Sequence, residues 1–358
     1  MRAMIEIAIH RTEQARPRPP STDLGFGRYF TDHMFVMDFE EGRGWHTPRI
    51  VPYGPLALDP ASSALQYAQA LFDGMKAIRG QDGKIRLFRP DRHCARMTQG
   101  VIRMAMPAVP QDVMLHALTE LVRLEQDWVP SAPNTALYLR PTIIGTEAFL
   151  GVRPSRTYTF FIIASPVGAY YEEGFNPVSI WIEQENVRAA RGGLGAVKAG
   201  ANYAASLYAA ERAKSKGYAQ VLWLDAAEHK YLEEVGTMNL FVQIGDTFLT
   251  PPLEGSILDG VTRNSILTLL REWKCEVIER WISVDEIERA YTEGRLKEVF
   301  GCGTAAVISP VGELGYKDKR MVINDKKPGA MAQRLFQELT GIQQGRIPDQ
   351  RGWLVTVT

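Results

Sequence analysis

One lysine stands in a run of small residues that leads directly into a predicted helix. The run reads GGLGAVKAGANYAAS over residues 192–206, and its lysine is Lys198. A lysine amine that acts as a nucleophile must be neutral, which requires a partly desolvated and electrostatically tuned setting. The ordinary alternative is a solvated loop lysine. A P-loop is excluded, because the Gly-Lys-Ser/Thr core of that motif is missing.

A carboxylate follows in LEEVGTMNLF, residues 232–241, where Glu233 and Glu234 precede a β-rich run. The pair alone is typical of an exposed acidic strand edge, and on a strand only one of two neighbours can face inward. A nucleophilic lysine and an acid on a strand are the protein groups that a pyridoxal phosphate site requires, because the acid keeps the pyridine nitrogen protonated. Tyr203 is either a core residue or a hydrogen-bond partner of the cofactor's phenolic oxygen.

Two further segments offer ways to bind a phosphate group. LDGVTRNSILTLL, residues 258–270, predicts a helix that begins at Gly260-Val261-Thr262, and a helix N-terminus attracts anions. An ordinary helix start is the commoner meaning of such a pattern. GCGTAA, residues 301–306, places Thr304 in a turn of small residues, where backbone amides can approach an anion closely.

Two arginines complete the set of candidates. Arg96 lies on a helix predicted to begin at Pro90, and it is either a surface residue or a cation for the phosphate. Arg140 stands inside the apolar strand run LYLRPT, and an arginine in such a place should have an anionic partner.

The composition excludes several other classes of protein. Lys+Arg and Asp+Glu both number 41, so the net charge is zero, and no basic stripe points to nucleic acid. No apolar run is long enough to cross a membrane, and the N-terminus lacks a secretory core, so we expect a cytoplasmic protein. Three scattered cysteines form neither a disulfide framework nor a zinc site, and the six histidines are equally dispersed. No metal site is expected.

The 358-residue chain is too long for one typical core, and the order of its predicted strands and helices changes between its two halves. We therefore expect two domains of α+β or mixed α/β structure. Periodicity and turn signals predict strands at 30–39, 48–58, 84–89, 136–144, 158–167, 220–225 and 298–303. The predicted helices begin at 90 and cover 110–128, 202–216, 262–273, 284–297 and 328–343. The predicted division is a loosely ordered lead (1–25), an N-terminal domain (26–170), a linker (171–187) and a C-terminal domain (188–358).

Taken together, the motifs resemble one family, the branched-chain amino acid aminotransferases of the class IV pyridoxal phosphate enzymes. The resemblance runs from about residue 26 to 343. It is carried by FGRYFTDHM, ALQYAQALFDGMKA, LYLRPTIIGTEAFLGV, ASPVGAYY, the Lys198 loop, EEVGTMNLF and VFGCGTAA. It implies the two-domain fold of D-amino acid aminotransferase, called fold type IV, with pyridoxal 5'-phosphate as the cofactor.

The resemblance also implies a role for each matching residue. Lys198 would carry the cofactor and move the substrate proton, and Glu234 would pair with the pyridine nitrogen. The remaining cofactor contacts would come from Arg96, Tyr203, Thr237, Val261, Thr262 and Thr304. The substrate α-carboxylate would meet Thr237 and the amide of Ala305, and the γ-carboxylate of glutamate would meet Arg140. Thr304 would also contact the substrate. The side-chain pocket would consist of Phe26, Tyr67, Phe72, Tyr138 and Tyr170, with Val152 reaching in from a partner subunit.

The activity so implied is transamination of L-leucine, L-isoleucine and L-valine with 2-oxoglutarate, by a homodimer or larger oligomer. The alternatives are another class IV enzyme, such as D-amino acid aminotransferase or aminodeoxychorismate lyase, and a non-catalytic binding protein.

Two departures from the family pattern stand out. Ala201 replaces the usual glycine, so we expect an ordinary backbone there. Ala306 and Ser309 replace a Cys-x-x-Cys pair found in mammalian members, so redox control of that type is not expected.

Overall fold

The computed structural model describes residues 5–168 and 175–358, and they form two compact units. The first unit comprises the described residues up to 168 together with 197–201 and 341–358. The second comprises 175–196 and 202–340. Lys198 thus belongs to the first unit, although the chain on both sides of it belongs to the second.

The secondary structure alternates between strands and helices along the described chain. Up to residue 168 the elements are β1 (Ala8–Ile9), β2 (His33–Glu40), β3 (Gly44–Pro52), α1 (Ser63–Tyr67), β4 (Ala70–Phe72), β5 (Met75–Arg79), β6 (Ile85–Phe88), α2 (Pro90–Arg103), α3 (Gln111–Leu124), a 3-10 helix (Gln126–Trp128), β7 (Ala136–Gly145) and β8 (Thr157–Val167). From residue 175 they are β9 (Val178–Ile182), α4 (Gly200–Ser215), β10 (Gln220–Leu224), β11 (Leu232–Val235), β12 (Met238–Ile244), β13 (Thr247–Thr250), α5 (Val261–Glu272), β14 (Val277–Glu279), α6 (Val284–Thr292), β15 (Leu296–Gly303), β16 (Val307–Tyr316), β17 (Lys319–Val322), a 3-10 helix (Asn324–Lys326), α7 (Ala330–Gln343) and β18 (Leu354–Thr356).

The first unit is built on a sheet in the strand order β1-β3-β2-β8-β7-β5-β6-β18, with β4 paired to β7. Its centre is the antiparallel pair β7 and β8, which stay in register from Ala136↔Val167 to Gly145↔Tyr158. Alternate residues of β8 are fully buried, as the apolar run of that strand requires. The helices α2 and α3 pack against each other, and the apolar side of α3 is buried.

The second unit contains a sheet in the strand order β11-β10-β9-β16-β15-β12-β13-β14, with β17 paired to β16. Because β11 also pairs with β12, the strands from β11 to β12 close into a ring. The apolar residues of this ring form one buried cluster, which includes Leu222, Leu240 and Leu314. All residues of β16 are buried. A closed sheet has no exposed edge there, and its strands are held on both sides.

The mixed α/β class is confirmed, and most of the predicted elements are present within a few residues of their predicted bounds. The helix predicted over 284–297 ends at Thr292, because the chain turns at Gly294 with a positive φ and enters β15. The expected ordinary backbone at Ala201 is confirmed: the residue lies in α4 without a positive φ.

The observed units differ from the predicted domain bounds. The predicted linker at 171–187 contains β9, an inner strand of the second sheet. Residues 197–201 and 341–358, which were predicted to lie in the C-terminal domain, belong to the first unit. The N-terminal lead is tied down where it is described, because β1 pairs with β3 and the Thr12 amide donates to His33 Nε2 at 2.8 Å. None of the helices in the described residues is long and apolar enough to cross a membrane.

The closed sheet gives a prediction about stability. Leu222 is fully buried among the apolar residues of the ring, so Leu222→Ala should lower the free energy of unfolding by about 2–5 kcal/mol. The measurement is urea denaturation followed by far-ultraviolet circular dichroism. Leu253→Ala is the control, because that leucine is 39% exposed. Equal midpoints for the two variants would contradict the packing described.

Candidate active site

Lys198 is positioned by a short contact between its loop and β4. Leu71 of β4 forms a bridge with Ala199, and the Phe72 amide donates to the Lys198 carbonyl at 3.1 Å. The Lys198 amine then lies 4.9 Å from the centre of the Phe72 ring. The side chain is half-buried. The backbone contacts fix where the lysine begins, and the α4 helix that starts at Gly200 fixes where its loop ends.

A buried ion pair lies among the same elements of the first unit. Arg96 donates from Nε and Nη2 to the two carboxylate oxygens of Asp73, at 2.9 and 2.8 Å. His93 Nδ1 lies 2.9 Å from Asp73 Oδ1. Burial alone would raise the pKa of Asp73, but Arg96 and His93 outweigh it and hold the pKa well below its usual range. The arginine is therefore held in place by a carboxylate that stays ionised.

The setting of Lys198 changes the basicity of its amine. Burial lowers its pKa to about 8, helped by the positive charges of Arg96 and Arg140, while Tyr138 and Asp73 act in the opposite direction. An ordinary lysine has a pKa near 10.4, so a much larger fraction of this amine is neutral near pH 8. A neutral amine is what nucleophilic attack requires.

Several of the predicted pocket residues of the first unit lie close together. Phe26 and Tyr138 are in edge contact, with ring centres 4.9 Å apart. Arg140 lies over the Phe72 ring at 4.4 Å, and its Nη2 donates to the Tyr138 hydroxyl at 3.2 Å. The buried Arg140 Nε has no hydrogen-bond partner among the described residues. The arginine thus has a donor left for an anion.

Two other predicted residues lie on a separate stretch of the first unit. The Tyr67 hydroxyl donates to the carbonyl of Leu150, and Tyr67 is 43% exposed. Val152 is 86% exposed. Tyr170, the remaining predicted member, lies outside the described residues.

In the second unit, Glu234 is fixed by a ring of donors. Its Oε1 accepts from Asn239 Nδ2 at 3.1 Å and from the Leu258 amide at 3.0 Å, and its Oε2 lies 3.1 Å from Arg188 Nε. Both glutamate and arginine side chains are buried. These contacts hold the carboxylate in place beside a buried cation. Sequence reasoning missed Arg188, which lies 46 residues before Glu234 and carries no local signal.

The helix α5 begins where the sequence predicted, directly after Gly260. A Cβ at Gly260 would lie 1.9 Å from Asn239 Oδ1, so only glycine allows the loop to approach that side chain. Val261 and Thr262 are buried in the first turn, where the N–H groups of a helix are free to bind an anion. Thr304 and Ala305 lie half-buried in the turn between β15 and β16.

The remaining predicted residues of the second unit are placed as follows. Tyr203 is half-buried on the first turn of α4. Thr237 is exposed in the turn between β11 and β12.

Burial raises the pKa of the Cys302 thiol, so this cysteine is inert rather than reactive. Among the described residues, no group of three or more His, Cys, Asp or Glu side chains is arranged to hold a metal ion.

The expected exposure of one of the two glutamates on β11 is wrong. Glu233 and Glu234 are each only 3% exposed. They do point to opposite faces, as strand geometry requires, but both faces of β11 are covered. Glu233 accepts a hydrogen bond from the Ser256 hydroxyl at 2.5 Å.

Comparison with known proteins identifies the family. The family model described as amino-transferase class IV matches residues 70–314. Branched-chain-amino-acid transaminase 1 of Bacillus subtilis (strain 168) is 51% identical, over 98% of this chain and 99% of its own length. The chain therefore belongs to the class IV aminotransferase family, and within it to the group of the branched-chain-amino-acid aminotransferases. The resemblance inferred from the sequence motifs is confirmed.

Solved structures of the same group share the fold. The branched-chain amino acid aminotransferase of Escherichia coli is 27% identical, with a TM-score of 0.76 over 90% of this chain and 99% of that one. A branched-chain amino acid aminotransferase of T.th., solved with pyridoxamine 5'-phosphate, has a TM-score of 0.76 over 90% of this chain and 98% of that one, at 24% identity. The fold is thus that of the class IV aminotransferases, as predicted.

The lowered pKa of Lys198 can be tested by chemical modification. The amine should react with an acylating reagent along a curve whose midpoint lies near pH 8, because roughly half of it is neutral there. Any carbonyl compound on the lysine is first removed with hydroxylamine, and the modified residue is quantified by peptide mass spectrometry. The exposed Lys214 is the reference site in the same digests. A curve for Lys198 that coincides with that of Lys214 would contradict the setting described.

Proposed function

We propose that this chain catalyses the transamination of L-leucine, L-isoleucine and L-valine with 2-oxoglutarate, and that it does so with pyridoxal 5'-phosphate. The observation that carries the proposal is the tuned amine of Lys198, found in a chain that matches a branched-chain transaminase over nearly its whole length. The products are the branched-chain 2-oxo acids and L-glutamate.

The donors and cations of the described residues fit the proposed cofactor. Lys198 supplies a partly neutral amine, Glu234 a carboxylate paired with Arg188, and Arg96 a fixed guanidinium. Further contacts are proposed for Tyr203, Thr237, Val261, Thr262 and Thr304. The T.th. enzyme, whose structure carries pyridoxamine 5'-phosphate, supports this choice of cofactor. When bound, pyridoxal phosphate acts as an electron sink for the bond that is broken at the substrate α-carbon.

The residues of the chain then have separate tasks. Lys198 Nζ would move the proton from the substrate α-carbon to C4′, the cofactor carbon bonded to the same nitrogen, which a neutral amine can do. Glu234, held in place by Arg188 and Asn239, would favour a protonated pyridine nitrogen. Asp73 already fixes the side chain of Arg96. The arginine can therefore bind the phosphate without losing further side-chain freedom.

The proposed substrate pocket must accept two kinds of side chain. The rings of Phe26, Phe72 and Tyr138 offer apolar surface to a branched side chain, at about 25 cal/mol per Å² buried. The open donor of Arg140 offers a charge-assisted hydrogen bond to the γ-carboxylate of glutamate or 2-oxoglutarate. Thr237 and the amide of Ala305 are proposed for the α-carboxylate, and Thr304 for a further contact with the substrate.

The exposed apolar residues of the first unit support the proposed oligomer. Five large apolar side chains lie on α1 and the segment after β7, each at least 42% exposed: Leu65, Tyr67, Phe149, Leu150 and Val152. Apolar residues grouped in this way are typical of subunit interfaces. We propose that a second copy of the chain covers them, in a homodimer or larger assembly, with Val152 reaching the partner's substrate pocket.

The first experiment is an assay of the purified protein with pyridoxal phosphate. Each of L-Leu, L-Ile, L-Val, L-Phe, L-Asp and D-Ala is offered with 2-oxoglutarate, and the glutamate formed is measured. We expect turnover mainly with the three branched L-amino acids, because the pocket is lined by aromatic rings. Turnover mainly of D-Ala would assign the chain to another class IV activity.

The role of Lys198 is tested in the same assay. Lys198→Ala should lower kcat by at least about 10³-fold, because the group that moves the proton is lost. Lys214→Ala, at an exposed position on α4, is the control and should keep the wild-type rate. Wild-type turnover by the Lys198→Ala variant would refute the proposed mechanism.

The dual specificity depends on Arg140. Arg140→Gln should raise the KM for 2-oxoglutarate by roughly 10–100-fold, because a hydrogen bond to a charged group contributes about 1.5–3 kcal/mol. The KM for L-leucine should change much less, since its side chain has no charge to pair. Arg103→Gln, at an exposed position, is the matched control. An equal effect on both substrates would show that Arg140 only supports the pocket walls.

A further inference from the structure

A cavity lies entirely within the second unit and is lined by none of the residues proposed above for cofactor or substrate. Its volume is about 520 Å³, which is within the usual range for small-molecule sites. Its walls come from the turn between β10 and β11, from β11 itself, and from residues near the start of α6. The polar and aromatic lining residues are Arg191, Asp225, Glu228, Tyr231, Glu233 and Trp281.

The buried acid of this cavity has one oxygen that is not used. Glu233 is 3% exposed, and its Oε1 accepts from the Ser256 hydroxyl at 2.5 Å. Its buried Oε2 has no hydrogen-bond partner among the described residues. Buried polar atoms in proteins nearly always have a partner, so an unpaired carboxylate oxygen in a cavity wall points to a bound donor.

Two other charged groups of the wall, Asp225 and Arg191, already have partners. Asp225 accepts four backbone amides, from Ala227 and Glu228 on one oxygen and from Lys230 and Tyr231 on the other. Its carboxylate therefore holds the turn together and is saturated. Arg191 pairs with Glu254, outside the cavity wall, and lies over the Trp281 ring at 4.4 Å. Glu233 is thus the buried acceptor of the wall that remains open.

The charge and shape of the wall decide which ligand fits. Three carboxylates and one guanidinium line the cavity, so a cation is favoured over an anion. The rings of Tyr231 and Trp281 meet at 71°, with centres 5.0 Å apart, and form an apolar corner that also attracts cations. A ligand that combines an N–H donor, a positive charge and an alkyl group matches these features.

We propose that this cavity binds a small organic ammonium ion, whose N–H group donates to Glu233 Oε2 and whose alkyl part lies against Tyr231 and Trp281. This proposal does not rest on the proposed transaminase activity. Free amino acids and simple amines both carry this group. An amino acid would in addition bring a carboxylate within the reach of Arg191.

Binding should depend on pH in a defined direction. Burial raises the pKa of Glu233 to about 7, with Ser256 and Arg188 opposing, while Glu234 and Asp225 raise it further. The carboxylate is mostly protonated at pH 6 and mostly ionised at pH 8. Arg191 and Glu228 also face the cavity. An ammonium ion should therefore bind roughly ten-fold more tightly at pH 8 than at pH 6.

The test is isothermal titration calorimetry of the protein with its cofactor bound, at pH 8. The probe is N,N-dimethylbutylamine, which carries one N–H when protonated and, as a tertiary amine, forms no imine. We expect saturable binding that is at least ten-fold weaker in Glu233→Gln, because the negative charge is lost. Glu211→Gln, at an exposed position on α4, is the matched control and should bind like the wild type.

Further probes separate the outcomes. Hexanoate, of similar size but opposite charge, fits the proposed substrate pocket instead, so its binding should be the same in the wild type and in Glu233→Gln. If the binding that Glu233→Gln weakens is tighter for N,N-dimethyl-L-leucine than for the amine, the natural ligand is an amino acid; the reverse order indicates an amine. Trp281→Ala changes a half-buried residue of the wall and should also weaken binding. It provides a second test if the Glu233→Gln variant does not fold. No binding of either amine to the wild type, or equal binding to Glu233→Gln, would overturn the proposal.

Discussion

The pairing of Arg96 with Asp73 is the interaction that fixes the charged groups around Lys198. Asp73 is buried, and without a cation its carboxylate would be driven to its neutral form. Two hydrogen bonds from Arg96, and the neighbouring His93, keep it ionised. The same carboxylate fixes the guanidinium, whose charge then lowers the pKa of Lys198. The buried pair thus places a cation suited to a phosphate, while the burial of Lys198 is the main cause that keeps its amine partly neutral.

The second unit contains a similar buried pair of a carboxylate and an arginine. Here the carboxylate is Glu234, and the cation beside it is Arg188. Asn239 adds geometric control, because its Nδ2 donates both to Glu234 and to the carbonyl of Leu258. The close approach of Gly260 to Asn239 then fixes the start of α5 relative to the carboxylate. The position of a helix N-terminus and that of an acid are set by one side chain.

The sequence predicted the parts of this arrangement that have local signals. A glycine before an apolar helical pattern predicted α5, and a lysine among small residues predicted the Lys198 loop. The supporting groups Asp73 and Arg188 could not be found in this way, because they act on residues 23 and 46 positions away. The strand β9 was missed because Gly and Pro directly precede it, and such a pattern is typical of a linker. Pairings between distant segments set these features, and no local pattern records them.

The adjacent glutamates of β11 show how a closed sheet changes the meaning of a local rule. Alternation along a strand separates their side chains, but it does not expose either, because both faces of β11 are covered. Glu234 is matched by a cation, whereas Glu233 keeps one oxygen unpaired. Ser256 connects the two, since its hydroxyl donates to Glu233 and its carbonyl accepts from Arg188. A change of charge at Glu233 would therefore be felt at Arg188, and through it at the carboxylate on the opposite face.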